Sequence, residues 1–193
     1  MIATSINHIT KYLNQACKNA FDLNEDIAVI SNLIEQDGSV PPNIDNKLVV
    51  SLVNIEKDGV AFKPSFKSAT HTRSDAKKYP PVHLNLYVMV SSYFTGKNYI
   101  ESLKFLSFAM TFFQRNSVFD HTSTPDLDPA IDKLILDIEN LDMKDFSSLW
   151  SVISGKYVPS ILYKMRMVTI DSDAVSNRVP TLEEISIIVR SNG

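Results

Sequence analysis

Residues 141–171 constrain the fold of this chain more than any other stretch: L-D-M-K-D-F-S-S-L-W-S-V-I-S-G-K-Y-V-P-S-I-L-Y-K-M-R-M-V-T-I-D. Met143, Phe146, Leu149, Trp150 and Ile153 recur at helical spacing over residues 142–154, and Gly155 sits where a helix-ending glycine belongs. Residues 160–171 then alternate strictly. Ile161, Tyr163, Met165 and Met167 point one way and Lys164 and Arg166 the other, the pattern of a strand with one buried and one wet face. A short amphipathic helix feeding a long half-buried strand cannot close a core alone, so the unit has to join a larger sheet.

The rest of the chain supplies that sheet. Ile2, Ile6, Ile9, Leu13, Cys17 and Ala20 recur every three or four residues, with Asn7, Lys11, Asn14 and Lys18 opposite. This predicts an amphipathic first helix capped by Thr4 or Ser5, with a turn over 22–25. Residues 27–34 and 47–57 read as strands, separated by a loop over 36–46 with Asp-Gly and Pro-Pro, and Asp58-Gly59 signals a turn. Residues 81–94 give the clearest strand. Both its faces become apolar after Leu86, which predicts a central position. A second helix is expected over 99–114, with Ile100, Leu103, Leu106, Met110 and Phe113 inward, a cap from Asn98 or Thr95, and Glu101 near its positive end. A loop over 119–132 and a strand over 133–141 complete the order α-β-β-β-α-β-α-β. The expected fold is a single-domain α/β (α+β) architecture. Composition shifts after Asp171, so residues 1–171 form the predicted domain and 172–193 an extension.

The chemistry the chain offers is sparse. Its 193 residues, 44% of them hydrophobic, suffice for one core, and a net charge of −3 argues against binding nucleic acid over the whole surface. The N-terminal run lacks a basic stretch leading into an apolar one, and no apolar run reaches the ~20 residues a bilayer needs. Synthesis and folding in the cytoplasm are the expectation. One cysteine, Cys17, excludes an internal disulfide and reads as a buried structural thiol on the first helix. His8, His71, His83 and His121 show no helical pairing, and no cysteine or glutamate completes a ligand set, so no metal is expected. Asp120, Asp126, Asp128 and Asp132 lack the glycine of a calcium loop, and Asp126 and Asp128 read as helix or turn caps. Ser147, Ser148 and Ser151 lie outside any nucleophile elbow. Only 5 glycines are present, and neither a phosphate loop nor a dinucleotide fingerprint occurs, so no cofactor or catalytic residue is assigned. A small hydrolase with a scattered site finds no nucleophile–base pair to stand on.

Partner contacts are a different matter. Lys63, Lys67, Arg73, Lys77 and Lys78 make residues 60–79 locally basic, with Asp75 the acidic residue among them and Phe66 and Tyr79 available for stacking. The readings are a solvated loop, a protein contact, or a phosphate grip that would make the chain a nucleic-acid-binding accessory protein. Lys164 and Arg166 read as the wet face of a sheet or as a contact for acidic partners. Ile185, Ile187, Ile188 and Val189 form an isolated apolar segment after a polar linker. It pairs as an edge strand either on its own sheet or on a neighbouring subunit.

Several runs in fixed order carry a family resemblance: V-V-S-L-V-N-I-E-K-D-G (49–59), P-P-V-H-L-N-L-Y-V-M-V-S-S-Y-F (80–94), N-Y-I-E-S-L-K-F-L-S (98–107), F-F-Q (112–114), K-L-I-L-D-I-E-N-L (133–141) and L-W-S-V-I-S-G-K-Y-V-P-S-I-L-Y-K-M-R-M-V (149–168), followed by T-I-D. Together they resemble the cap, or tail-terminator, proteins of bacterial contractile injection systems, phage-tail-like particles of the antifeeding-prophage and virulence-cassette type. The resemblance implies a structural, non-enzymatic protein whose α/β domain has a mixed sheet flanked by helices, in agreement with the element order above. It would form a homohexameric ring at the baseplate-distal end, bind the last inner-tube and sheath rings and stop their elongation. It also implies assembly in the cytoplasm into a particle that can be released. By analogy with the exchanged arms of sheath subunits, residues 185–189 become a candidate arm. Some relatives carry a further C-terminal domain, and no function of that domain is carried over.

Overall fold

The computed structural model describes residues 1–59, 83–153 and 156–169. The order is α1 (Ile2–Phe21), β1 (Ala28–Ile30), β2 (Lys47–Lys57), β3 (Leu84–Tyr93), a 3-10 turn (Gly96–Asn98), α2 (Tyr99–Arg115), β4 (Val118–Asp120), β5 (Ile131–Ile138), α3 (Met143–Ile153) and β6 (Ser160–Thr169). The six strands form one mixed sheet in the order β1-β2-β3-β6-β5-β4, in which only β1–β2 is parallel. The expected α/β class and the central place of β3 are therefore observed. The later strand β6 inserts between β3 and β5, so the longest alternating segments pair with one another.

Helices cover both faces. On the first, α1 and α2 pack Ile9, Leu13, Leu106 and Phe113 against Leu48, Leu86, Val88, Met165 and Met167. On the second, Trp150 of α3 meets Leu33, Ile44, Val49 and Met89. Burying such side chains is the main driving force for folding, at about 25 cal/mol per Å² of apolar surface removed from water. β1 and β4 are opposite edges of the sheet, yet both meet α1. Asn14 of α1 bonds Ala28 of β1, while His8 and Tyr12 pack on Phe119 of β4. The sheet therefore curls around α1, and Asn14 occupies backbone groups on the open edge of β1.

Several local expectations are corrected. The first predicted strand shrinks from 27–34 to three residues, because Ser31–Asn46 leaves the sheet to cover its second face through Leu33 and Ile44. Phe119, assigned to a loop, lies in β4 and is buried. Thr4 and Ser5 are not caps. The helix already begins at Ile2, and the Ser5 hydroxyl donates back to the Met1 carbonyl at 2.9 Å. Neither Thr95 nor Asn98 makes a capping bond, and Asn98 donates to Asn46 instead. Asn14, placed on the wet side of α1, is buried, whereas Ala20 is exposed. In α2 the inward stripe is Phe105, Leu106, Ala109 and Phe113. Ile100, Leu103 and Met110 face out. This helix is apolar nearly all round, so its periodicity fits two stripes and only packing chooses between them. Met143 likewise stays outside the α3 contact. Gly155 and residues 170–171 lie outside the described residues.

Candidate interaction surfaces

The second face of the sheet carries Lys164 and Arg166, the two described charges singled out as partner contacts. β2 carries a bulge between Leu52 and Asn54, since Leu52 pairs with Val88 and Asn54 with Tyr87. The extra residue, Val53, shifts the alternation and puts Asn54 and Glu56 on the α3 side. There, Tyr87 donates its hydroxyl to Glu56 at 2.9 Å, and the Lys164 Nζ stands 5.8 Å from the centre of the Tyr87 ring. Burial, then the bond to Glu56, raises the Tyr87 pKa, against the opposing pull of Lys164. The Arg166 Nε lies 3.1 Å from Asp58 Oδ2 as an ion pair and not as an aligned hydrogen bond. Lys164 and Arg166 thus share one face, each beside a partner from its own chain. The other proposed contact residues, Lys63, Lys67, Arg73, Lys77, Lys78, Ile185, Ile187, Ile188 and Val189, lie outside the described residues.

Between α3 and the sheet runs an open groove of about 510 Å³, with Leu149, Val152 and Leu162 among its apolar walls and Glu56, Glu139 and Asp145 as its charges. A second groove of about 630 Å³ lies across the molecule on the outer side of α2, bounded by Phe21, Ile100, Leu103 and Phe108 and rimmed by Lys104 and Arg115. Periodicity alone placed Ile100 and Leu103 in the core, which is why this groove was not legible beforehand.

Several described groups that reaction chemistry could draw on are engaged in packing, ion pairs or turns. Cys17 is fully buried, and burial pushes its thiol up to about 12, which leaves almost no thiolate at neutral pH. His8 is buried against Tyr12 and Phe119, and desolvation lowers its pKa. Asp126 takes bonds from Lys11 and then Tyr12, which hold its carboxyl at about 2, and the same contact pushes Tyr12 up to about 12. Of the two expected caps, Asp128 accepts the Ala130 N–H in a tight turn, while Asp126 is taken up by Lys11 and Tyr12; Asp120 accepts the N–H groups of Thr122 and Ser123. Ser148 and Ser151 donate to carbonyls of their own helix. Among the described residues no three His, Cys, Asp or Glu side chains converge to hold a metal. No described helix is long and apolar enough to cross a membrane.

The Pvc16 N-terminal domain family matches residues 6–184. No curated protein gives a match. Among solved structures, the fold is similar to the sheath/tube terminator of the PVC extracellular contractile injection system in its extended state. That similarity has a TM-score of 0.54 at 12% identity and covers 100% of this chain and 64% of that one. The tube-terminating cap of the anti-feeding prophage is also similar, with a TM-score of 0.51 at 11% identity over 95% of this chain and 60% of that one. The chain thus spans less than two thirds of either protein's length.

Proposed function

Because the chain belongs to the Pvc16 N-terminal domain family, we propose that it is a structural cap that terminates the tube of a contractile injection particle. The observation that carries this reading is the family match over residues 6–184, on a fold shared with two proteins described as terminators. In the finer form of the proposal, copies close into a homohexameric ring at the baseplate-distal end. The ring binds the last inner-tube and sheath rings and offers no copy of that surface on its far side. Assembly takes place in the cytoplasm, and the finished particle acts outside the cell. Ring contacts between neighbours are heterologous, so shape and buried area do the work and no catalytic group is required.

Residues 1–171 serve as the cap domain and 172–193 as an extension that attaches it. The basic segment Lys63–Lys78 and the face of Lys164 and Arg166 contribute contacts to tube or sheath. Neither the family nor the neighbours lend support to the nucleic-acid reading of the basic segment.

Deleting the gene from the producing strain and measuring particle lengths by electron microscopy tests the proposal. Loss of the terminal density together with a broad length distribution is expected. Uniform, normally capped particles overturn it.

A further inference from the structure

We infer that neighbouring copies meet head to tail, the outer face of α2 on one copy receiving the exposed face of α3 from the next. The inference rests on the ring reading above and names the contact that closes the ring.

The two surfaces match in polarity and in charge. On α2, Ile100 is 68% exposed and Leu103 39%, unusual for large apolar side chains on a helix whose other face is already packed. The groove they edge is rimmed by Lys104 and Arg115, and among the described residues no carboxylate lines it. Lys104 shares its charge with Glu101 in the same helix, at 2.7 Å, while Arg115 stands in the last turn. On α3, Val152 is 86% exposed. Leu149 beside it lines a groove whose charges are Glu56, Glu139 and Asp145, and among the described residues no lysine or arginine lines that groove. Lys164 stands 5.8 Å from the centre of the Tyr87 ring, which also lines the groove.

Apolar with cationic on one side and apolar with anionic on the other are complementary surfaces. They belong to one chain but lie on opposite faces of its sheet, so they cannot meet within one molecule. A second copy satisfies both at once. Two different patches in contact make a heterologous interface that repeats from copy to copy, and the repeat closes when the rotation allows.

Cysteine cross-linking tests this cleanly, because Cys17, the chain's one native cysteine, is buried. Ile100→Cys and Val152→Cys variants of the full chain are mixed and mildly oxidised. The mixed disulfide should exceed either self-coupled product by about tenfold, and the double variant should ladder up to a closed ring. In a second arm, sedimentation follows Arg115→Glu and Asp145→Lys. Each should weaken self-association at least about tenfold, and mixing the two should restore it, because the swapped charges meet across the contact. Circular dichroism confirms that both remain folded. If the wild type forms rings but both charge reversals leave them intact, or Ile100→Cys couples mainly with itself, this contact is wrong while the ring reading stands. A wild type that stays monomeric at high concentration and beside purified tubes overturns both.

Discussion

The two faces of the sheet are built differently. The first carries two long helices and a closed core running from Ile6 to Met167, in which Phe113, Phe119, Leu86 and Met165 are fully or almost fully buried. The second carries one short helix and a small core of Leu33, Ile44, Val49, Met89 and Trp150, flanked by an open acidic groove and by charged residues. A sheet needs one well-packed face to fold. Once that face exists, the other can spend its surface on contacts with other molecules. The first face therefore carries most of the stabilising core, while the second leaves more of its surface open.

The sharpest way to break this contrast is to cut one anchor from each face. Phe113→Ala should cost about 3–5 kcal/mol, the usual range for a buried aromatic in a core that cannot collapse, and should unfold the domain as a unit. Trp150→Ala should cost less, roughly 2 kcal/mol, because its neighbours Phe146, Ile153 and Tyr157 are partly open to water and can relax. Denaturant melts give the totals. Hydrogen exchange should show α3 losing protection while α1 and β3 keep theirs. Equal losses, or global loss of protection in Trp150→Ala, would mean that the two faces form one cooperative core.

The next effect concerns the edge that α1 closes. Asn14 Oδ1 accepts the Ala28 N–H at 2.7 Å and Asn14 Nδ2 donates to the Ala28 carbonyl at 2.8 Å, replacing a missing neighbouring strand. Asn14→Leu should cost about 1–3 kcal/mol by stranding two backbone groups. It should also raise aggregation, read by light scattering, because the edge of β1 is uncovered. A stable, monodisperse Asn14→Leu would refute the idea that the helix guards this edge.

These positions also mark how far the sequence could be read. Strands β2, β3 and β6 were legible because alternation over ten or so residues has no helical counterpart. The central place of β3 followed from that pattern, and the mixed sheet from the family resemblance. β1 and β4 were not legible, since three residues carry no periodicity, and what places them is α1, an element far away in sequence. The burial of Asn14 was hidden for the same reason, because its partner is a backbone and not a side chain. The inward face of α2 could not be chosen while both stripes were apolar. The groove on α2 was missed with it, and the α3 groove depends on a bulge at Val53 that no residue in β2 announces.

A smaller effect separates the faces by pH. His8 is buried under the first face, and burial lowers its pKa, against the pull of Asp126 and with the help of Lys11 and His121. Its folded pKa lies below the unfolded value of 6.5, so the neutral ring favours the fold. That contribution is complete above about pH 6.5. It is lost as pH falls from there toward the folded value, with a slope of at most about 1.4 kcal/mol per pH unit. His8→Phe, which keeps the contacts to Tyr12 and Phe119, should flatten this part of the stability profile. An unchanged slope would place the titrating group elsewhere.

The smallest expected change in stability is the one that tests the division of labour most directly. Val152 is 86% exposed on α3, so Val152→Asp removes almost no buried area and should shift stability by less than about 0.5 kcal/mol. The same substitution adds a fourth carboxylate to a groove that already holds Glu56, Glu139 and Asp145. It also replaces an apolar knob with a strongly hydrated group. If the second face serves assembly, thermal melts of the variant should overlay the wild type while its incorporation into particles, followed by co-sedimentation with tubes, falls sharply. A melt shifted by several degrees would make Val152 part of the folding core after all. Unimpaired incorporation would leave the exposed face of α3 without a role in the particle.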